Sequence, residues 1–161
     1  MTTRDAARPG DEAEALARGV FELCAGPLSP AAAHARVADP GCGAIAAFTG
    51  TTRDRHRGRD VVRLDYEAFE AMTGPQMGRI FAACRDAVGA GDGERRVRML
   101  CQHRVGSVAV GEPSVVIAVA SPHRDLAFAA CRFLIDELKR TLPIWKKEVY
   151  ADGEHWIGDR S

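Results

Sequence analysis

The sequence predicts an α+β domain built on a mostly antiparallel sheet with two main helices. Three observations predict it. Strand-like and helix-like segments are interspersed without regular βαβ alternation. Short turns carrying Gly and Pro join neighbouring strands, so hairpins dominate. The run Val115-Val116-Ile117-Ala118-Val119 is apolar without a break, as a strand covered on both faces would be.

Taken in order, residues 1–17 are polar, carry Pro and Gly, and show no sustained period, which predicts a flexible N-terminal arm ahead of a single domain spanning 18–161. Val20 to Cys24 reads as a short strand. Ser29 is suited to cap, and Pro30 to open, a short helix through about Val37. Gly43 to Thr52 reads as a buried strand, Arg53 to Arg59 as a charged turn, and Val61 to Phe69 as the returning strand. Alternation in that strand puts Val61, Arg63, Asp65 and Glu67 on one face and Val62, Leu64, Tyr66 and Ala68 on the other. Met77, Ile80, Phe81, Cys84 and Val88 recur at helical spacing from about Gly74, and the Gly89 to Gly93 cluster ends that helix. Strands follow at Val97–Val105, Val108–Val110 and Ser114–Ala120, the last two joined by the turn Gly111-Glu112-Pro113-Ser114. The second main helix starts at Ser121, with core stripe Leu126, Cys131, Leu134, Leu138 and Leu142. Pro143 stops it, and Ile144 to Tyr150 returns as a strand before a short apolar piece at Trp156-Ile157.

The 161 residues carry 22 basic and 22 acidic side chains, with 46% hydrophobic and 27% charged content. These values exclude wholesale disorder, collagen-like repeats and a membrane class, and the zero balance argues against long-range capture of nucleic acid. No stretch free of charge is long enough to span a bilayer. The five cysteines lie singly with no zinc-type spacing, and with no apolar signal segment they point to a reducing cytoplasm. Nineteen of the basic residues are Arg, and the three lysines, Lys139, Lys146 and Lys147, share one nine-residue window. Locally the balance fails: Arg53 to Arg63, Arg95 to Arg104 and Lys139 to Lys147 are strongly positive, which suggests a neutral protein with a concentrated anion site.

Three constellations carry possible chemistry. Thr49 to Arg59 concentrates arginine forks, Arg53 among them, at one end of a sheet, which suits phosphate or carboxylate oxygens and equally suits a solvated hairpin tip. Ser121-Pro122-His123-Arg124 opens a helix, where backbone N–H groups, the dipole and Arg124 would favour an anion; a capping turn explains it too. Lys139 at a helix end and Lys146 after the Pro143 reversal would repel one another, lowering at least one pKa and making an amine usable as base or nucleophile. Helix-dipole stabilisation alone would also account for Lys139. Cys101 and His103 share a strand face but have no second ligand pair and no third catalytic member, so no metal site is expected. A non-catalytic phosphate- or nucleotide-binding module would use the same arginines but has no need of the lysine pair.

These motifs also carry a family resemblance. Phe48-Thr49-Gly50-Thr51-Thr52-Arg53-Asp54, Leu64 to Ala68, His103-Arg104-Val105-Gly106, Gly111-Glu112, Ser121-Pro122-His123-Arg124 and Pro143-Ile144-Trp145-Lys146-Lys147-Glu148, in order across Gly41 to Ile157, resemble the large, catalytic subunit of molybdopterin synthase. The resemblance implies an α/β-hammerhead-like fold and a homodimer that takes up a small ubiquitin-like sulfur-carrier subunit at each end to give a heterotetramer. It implies sulfur transfer from that carrier's C-terminal Gly-Gly thiocarboxylate to cyclic pyranopterin monophosphate, forming the dithiolene of molybdopterin, with no cofactor. On the same basis Lys139 and Lys146 match catalytic lysines, Arg53, His123 and Arg124 match substrate-pocket residues, Phe48 matches an apolar pocket wall, and Arg160 falls near a further pocket arginine.

Overall fold

β7, Pro113–Ser121, is the strand around which the other elements are layered. In chain order the elements are α1 (Pro9–Arg18), β1 (Val20–Cys24), α2 (Pro30–Val37), β2 (Ala44–Thr51), β3 (Arg55–His56), β4 (Arg59–Ala68), α3 (Glu70–Val88), β5 (Arg98–Arg104), β6 (Gly106–Ala109), then β7, α4 (Arg124–Thr141), β8 (Ile144–Tyr150) and β9 (Gly153–Arg160). This computed structural model describes the backbone of residues 9–160 and side chains from 10 to 153.

One sheet has the order β1-β5-β7-β2 and a second the order β3-β4-β8-β9, with β6 also pairing β4. Only the β1–β5 pair is parallel among the described ladders, so the arrangement is the mostly antiparallel α+β one that the sequence predicts. The apolar run of β7 divides by parity. Val115, Ile117 and Val119 enter a core shared with α3, α4 and the second sheet, while Val116, Ala118 and Ala120 enter a smaller core under α1 and α2. Double coverage leaves no face for a polar side chain, which is why the run is unbroken.

That second face explains the first departure from expectation. Pro9–Arg18 is helix α1 and not part of a flexible arm, because Leu16 is fully buried against the α2 side of the sheet. Its single large apolar residue, flanked by alanines and charges, made no period for sequence reading to detect. Residues 1–8, the rest of the expected arm, lie outside the described residues. α2 follows expectation: the Ala32 amide donates to Ser29 Oγ at 3.1 Å, and Pro30 opens the helix.

α3 begins at Glu70, a turn earlier than Gly74 and Pro75 suggested. The buried Thr73 hydroxyl donates to the Phe69 carbonyl at 2.7 Å and fixes a turn ahead of the proline. In β4 a register shift between Val61 and Arg63 moves Val61 onto the buried face with Leu64 and Tyr66, leaving Val62 half exposed, so the predicted alternation holds only from Arg63 onward. The turn Gly111 to Ser114 closes no hairpin: β6 pairs β4 whereas β7 pairs β5 and β2, so the chain changes sheets there. Buried Arg104 holds that crossing, donating to the Ser107 carbonyl at 2.8 Å and lying 3.6 Å from Glu112 Oε2.

Ser121 is no helix cap. It is the last, fully buried residue of β7, paired with Ala44 of β2, and His123 occupies the cap position of α4. Downstream, the stripe Leu126, Cys131, Leu134, Leu138 and Leu142 is buried as predicted. If Leu16 seats α1, Leu16→Ala should lower unfolding free energy by about 2–4 kcal/mol. Urea denaturation monitored by circular dichroism checks this; an unchanged midpoint would show that α1 contributes no packing.

Candidate active site

The site forms where the two sheets meet the C-terminal end of α4. A cavity of about 230 Å³ opens there, walled by Phe48, Gly50 and Thr51 of β2, Ser114 and Val115 of β7, and Val61, Leu64 and Tyr66 of β4. Its polar side chains are Arg53, Arg55, His56, Lys139, Lys146 and Glu148. Gly50 is needed for the wall, since a Cβ there would lie 2.7 Å from Val115 Cγ1 and 3.3 Å from Phe48 Cε1.

The arginines arrive on the β3–β4 hairpin. Its central residues, Arg57 at φ 49° and Gly58 at φ 78°, have the positive φ angles that a tight two-residue reversal requires. Arg55 pairs with Asp60 across the hairpin at 3.1 Å, while Arg53, at the β2 end, has an Nη2 to His56 Nδ1 separation of 3.4 Å. Arg53 has no carboxylate partner among the described residues, so its fork is available to an anion.

The lysines come from two elements joined by a sharp reversal. Lys139 is in the last turn of α4; Leu142 caps the helix, and β8 starts at Ile144. Lys146 then faces the cavity beside Glu148 on the same side of β8, with Nζ 4.0 Å from Glu148 Oε1. Lys147, on the opposite face, approaches Asp65 Oδ2 at 4.0 Å. Lys139 reaches solvent at the cavity rim, yet the protein around its amine withholds part of that solvent. Desolvation therefore pulls its pKa below the ordinary lysine value, and the charge of Lys146 lowers it further. A desolvated amine beside a paired ammonium can exchange protons with a bound substrate where guanidinium, which keeps its proton, cannot.

Behind the lysines, His103 is buried with its ring edge-on to Tyr66 at 5.1 Å. Burial drops its pKa to about 4, outweighing the bond between Nδ1 and the Arg104 carbonyl, with Lys139 adding to the fall. The imidazole is thus neutral, donating from Nδ1 at 2.8 Å. Cys101, its strand-face neighbour, is fully buried and burial pushes its thiol up, which suits core packing and not nucleophilic catalysis. No group of three or more metal-ligating side chains occurs among the described residues.

Four of the sequence-predicted residues, Phe48, Arg53, Lys139 and Lys146, line this one cavity. His123 and Arg124 do not. They stand at the opposite end of α4, about 24 Å along the axis from Lys139. There His123 Nε2 lies 2.7 Å from Glu94 Oε2, and Arg124 borders a separate shallow groove with Phe128 and Gly43 to Ala46 of the β2 edge. For Arg160 only the backbone is placed, opposite Trp145 in β9; its side chain lies outside the described residues. Sequence reading missed Glu148 and His56 as cavity residues. The i, i+2 spacing from Lys146 could have found Glu148, whereas His56 depends on how the hairpin folds back.

The family model described as "MoaE protein" matches residues 23–141. The chain belongs to the MoaE family. It is 49% identical over 118 residues, covering 73% of this chain and 72% of the other, to a molybdopterin synthase catalytic subunit of Culex quinquefasciatus. Among solved structures it is similar to the crystal structure of molybdopterin synthase from Staphylococcus aureus, with TM-score 0.77 and 30% identity over 86% of this chain and 96% of that one. It is similar also to the MoaE protein of Burkholderia ambifaria MC40-6, with TM-score 0.69 and 31% identity over 89% and 91% of the two chains. The MoaE model ends at Thr141, so it takes in Lys139 but not the β8 element that carries Lys146 and Glu148.

The neutral His103 behind this MoaE site has a consequence for stability. Its folded pKa of about 4 lies below the unfolded value of 6.5. The unfolded chain therefore binds more protons between those values, and stability is complete above about pH 6.5 and lost as pH falls toward 4. Urea unfolding at pH 7.5 and pH 4.5 should show His103→Gln losing about 2 kcal/mol less than the unsubstituted chain. Equal losses would mean that the imidazole is not buried neutral.

Proposed function

We propose that this chain is the catalytic subunit of a molybdopterin synthase and acts as a sulfurtransferase. It takes sulfur from the C-terminal Gly-Gly thiocarboxylate of a small ubiquitin-like carrier and delivers it to cyclic pyranopterin monophosphate. Two transfers make the dithiolene of molybdopterin. The observation that carries this reading is the placement of Lys139 and Lys146 in a cavity that also holds Arg53, which has no carboxylate partner among the described residues.

Each part of the chemistry has a residue. Arg53 presents a planar fork suited to the substrate phosphate. In each transfer a carbon–sulfur bond forms on the substrate while a carbon–oxygen bond at the same carbon breaks, its oxygen leaving as water or staying on the phosphate. The carrier's acyl–sulfur bond is then hydrolysed, and the carrier leaves as a carboxylate whose new oxygen comes from water. The anionic acyl intermediate on that path is stabilised by an ammonium, and the protons released or consumed at the substrate carbon need a titratable amine. Lys139, with its lowered pKa, is the amine suited to proton transfer, and Lys146 supplies positive charge. Phe48 forms an apolar wall for the ring system. A reducing cytoplasm is the fitting compartment, since all five cysteines are free thiols.

His123 and Arg124 enter this reading through the homodimer. One chain cannot bring them to its own Lys139 across the length of α4, whereas a symmetry-related copy can present them to the neighbouring cavity. Residues Ala44 to Thr51 form the outer strand of the first sheet beside exposed Phe128, a surface suited to such a contact.

Lys139→Ala should reduce molybdopterin formation by at least about a hundredfold in a reconstituted assay with thiocarboxylated carrier. Near-normal turnover would defeat the assignment. Arg124→Ala alone should also be inactive. Co-expressed with Lys139→Ala, it should restore roughly a quarter of normal turnover, because half the dimers are mixed and each mixed dimer has one intact cavity. No recovery would confine Arg124 to some other task.

A further inference from the structure

Glu148 is the one carboxylate among the described residues that line a cavity otherwise rich in cations, and it is only 3% exposed. A carboxylate so far out of water is costly unless it is hydrogen-bonded and paired with charge. Both conditions are met. The Tyr150 hydroxyl donates to Glu148 Oε2, while Oε1 faces Lys146 Nζ at 4.0 Å and His56 Nδ1 at 3.8 Å. Tyr150 is itself held, with the Arg59 guanidinium stacked 3.7 Å above its ring. The side chains thus form a chain of support that ends at Lys146 and leaves Lys139 with no carboxylate among the described residues.

We propose that Glu148 is a positioning residue: oriented by Tyr150, it holds the Lys146 side chain in place as an ammonium and so divides the two lysines into a fixed cation and a proton-exchanging amine. Among the described residues, the groups facing this pair are His56 and Arg55 from β3, Tyr66 from β4, Tyr150 from β8, Lys139 from α4, and Arg53. Glu148 is the one acidic side chain set against them. Two neighbouring amines without it would share one fate, each suppressing the other's protonation. With it, their roles separate. The catalytic consequence rests on the sulfur-transfer reading, but the charge assignment does not.

The chain's three lysines make a direct test possible. A sample labelled with 13C at the lysine ε-carbons gives three signals, assigned with Lys147→Arg and Lys139→Arg. In Glu148→Gln, an isostere that keeps an acceptor for Tyr150, the Lys146 signal should titrate at lower pH than in the unsubstituted chain, with Lys147 unmoved. Tyr150→Phe, which leaves Glu148 present but unaimed, should move Lys146 less and in the same direction; it also serves if Glu148→Gln does not fold. A Lys146 signal that titrates at the same pH in both variants as in the unsubstituted chain would overturn the proposal, whatever reaction the chain catalyses. In the sulfur-transfer assay Glu148→Gln should cut kcat roughly tenfold with KM held within about twofold, and adding Lys146→Arg should restore part of kcat because guanidinium stays charged unaided. A rise in KM with kcat intact would make Glu148 a substrate contact and overturn the positioning role.

Discussion

The reversal between α4 and β8 is the constraint on which the site depends. Leu138, Leu142 and Ile144 are each at most 1% exposed, and Pro143 between them forbids continued helix. Burying three such side chains stabilises the turn by roughly 1.5–3 kcal/mol apiece. Bringing Lys139 and Lys146 to one rim costs less, since even two unit charges about 4 Å apart near a protein surface repel by about 1–4 kcal/mol. Packing therefore wins, and two amines that would separate in water are held beside one cavity. The cost of that choice appears as a depressed lysine pKa, which is the property an acid–base catalyst needs.

The same logic sets what the walls contribute. Phe48 and Val115 come from neighbouring strands of one sheet, Leu64 and Tyr66 from the other, so the cavity lies on the seam and cannot exist without both layers. Arg104 and Glu112, which hold the crossing from β6 to β7, are thus as necessary to the site as residues that touch it. In the sequence their motifs serve only to carry the family resemblance; the work they perform here is architectural.

Legibility in the sequence followed how many layers wrote each signal. β7 was plain because burial on both faces excluded every polar residue from Val115 to Ala120. The α4 stripe was plain because one face alone is buried over five turns. Ser121 misled because Ser-Pro before an amphipathic run satisfies local capping rules, whereas pairing with Ala44 keeps Ser121 in the strand. The slip at Val61 and Val62 was hidden, since two valines leave the pattern symmetrical about a bulge. For the site, Lys139 and Lys146 were found by their placement about Pro143. Glu148 was passed over because a lone acid after two lysines looks like surface compensation, and its burial follows only from the closure of β4 and β9 on either side of β8.

A net charge of zero does not prevent the cavity from being strongly positive, and the ion pairs explain why. Arg36 lies between Glu12 and Glu22, Arg98 approaches Asp39, Arg132 meets Asp136, Arg140 meets Glu137, and Arg59 reaches Asp152. Many of the acids are thus paired locally with arginines that do not line the cavity, where exposed pairs add little stability but cancel field. Arg53 and Lys139 have no such partner among the described residues, and Glu148 is committed to Lys146. Their charge therefore stands uncancelled at the cavity mouth, over low-dielectric walls that weaken it less than water would. An anionic substrate and an anionic carrier terminus would be drawn to the same place, where Lys139 and Lys146 add amines able to exchange protons to the fixed charge of Arg53.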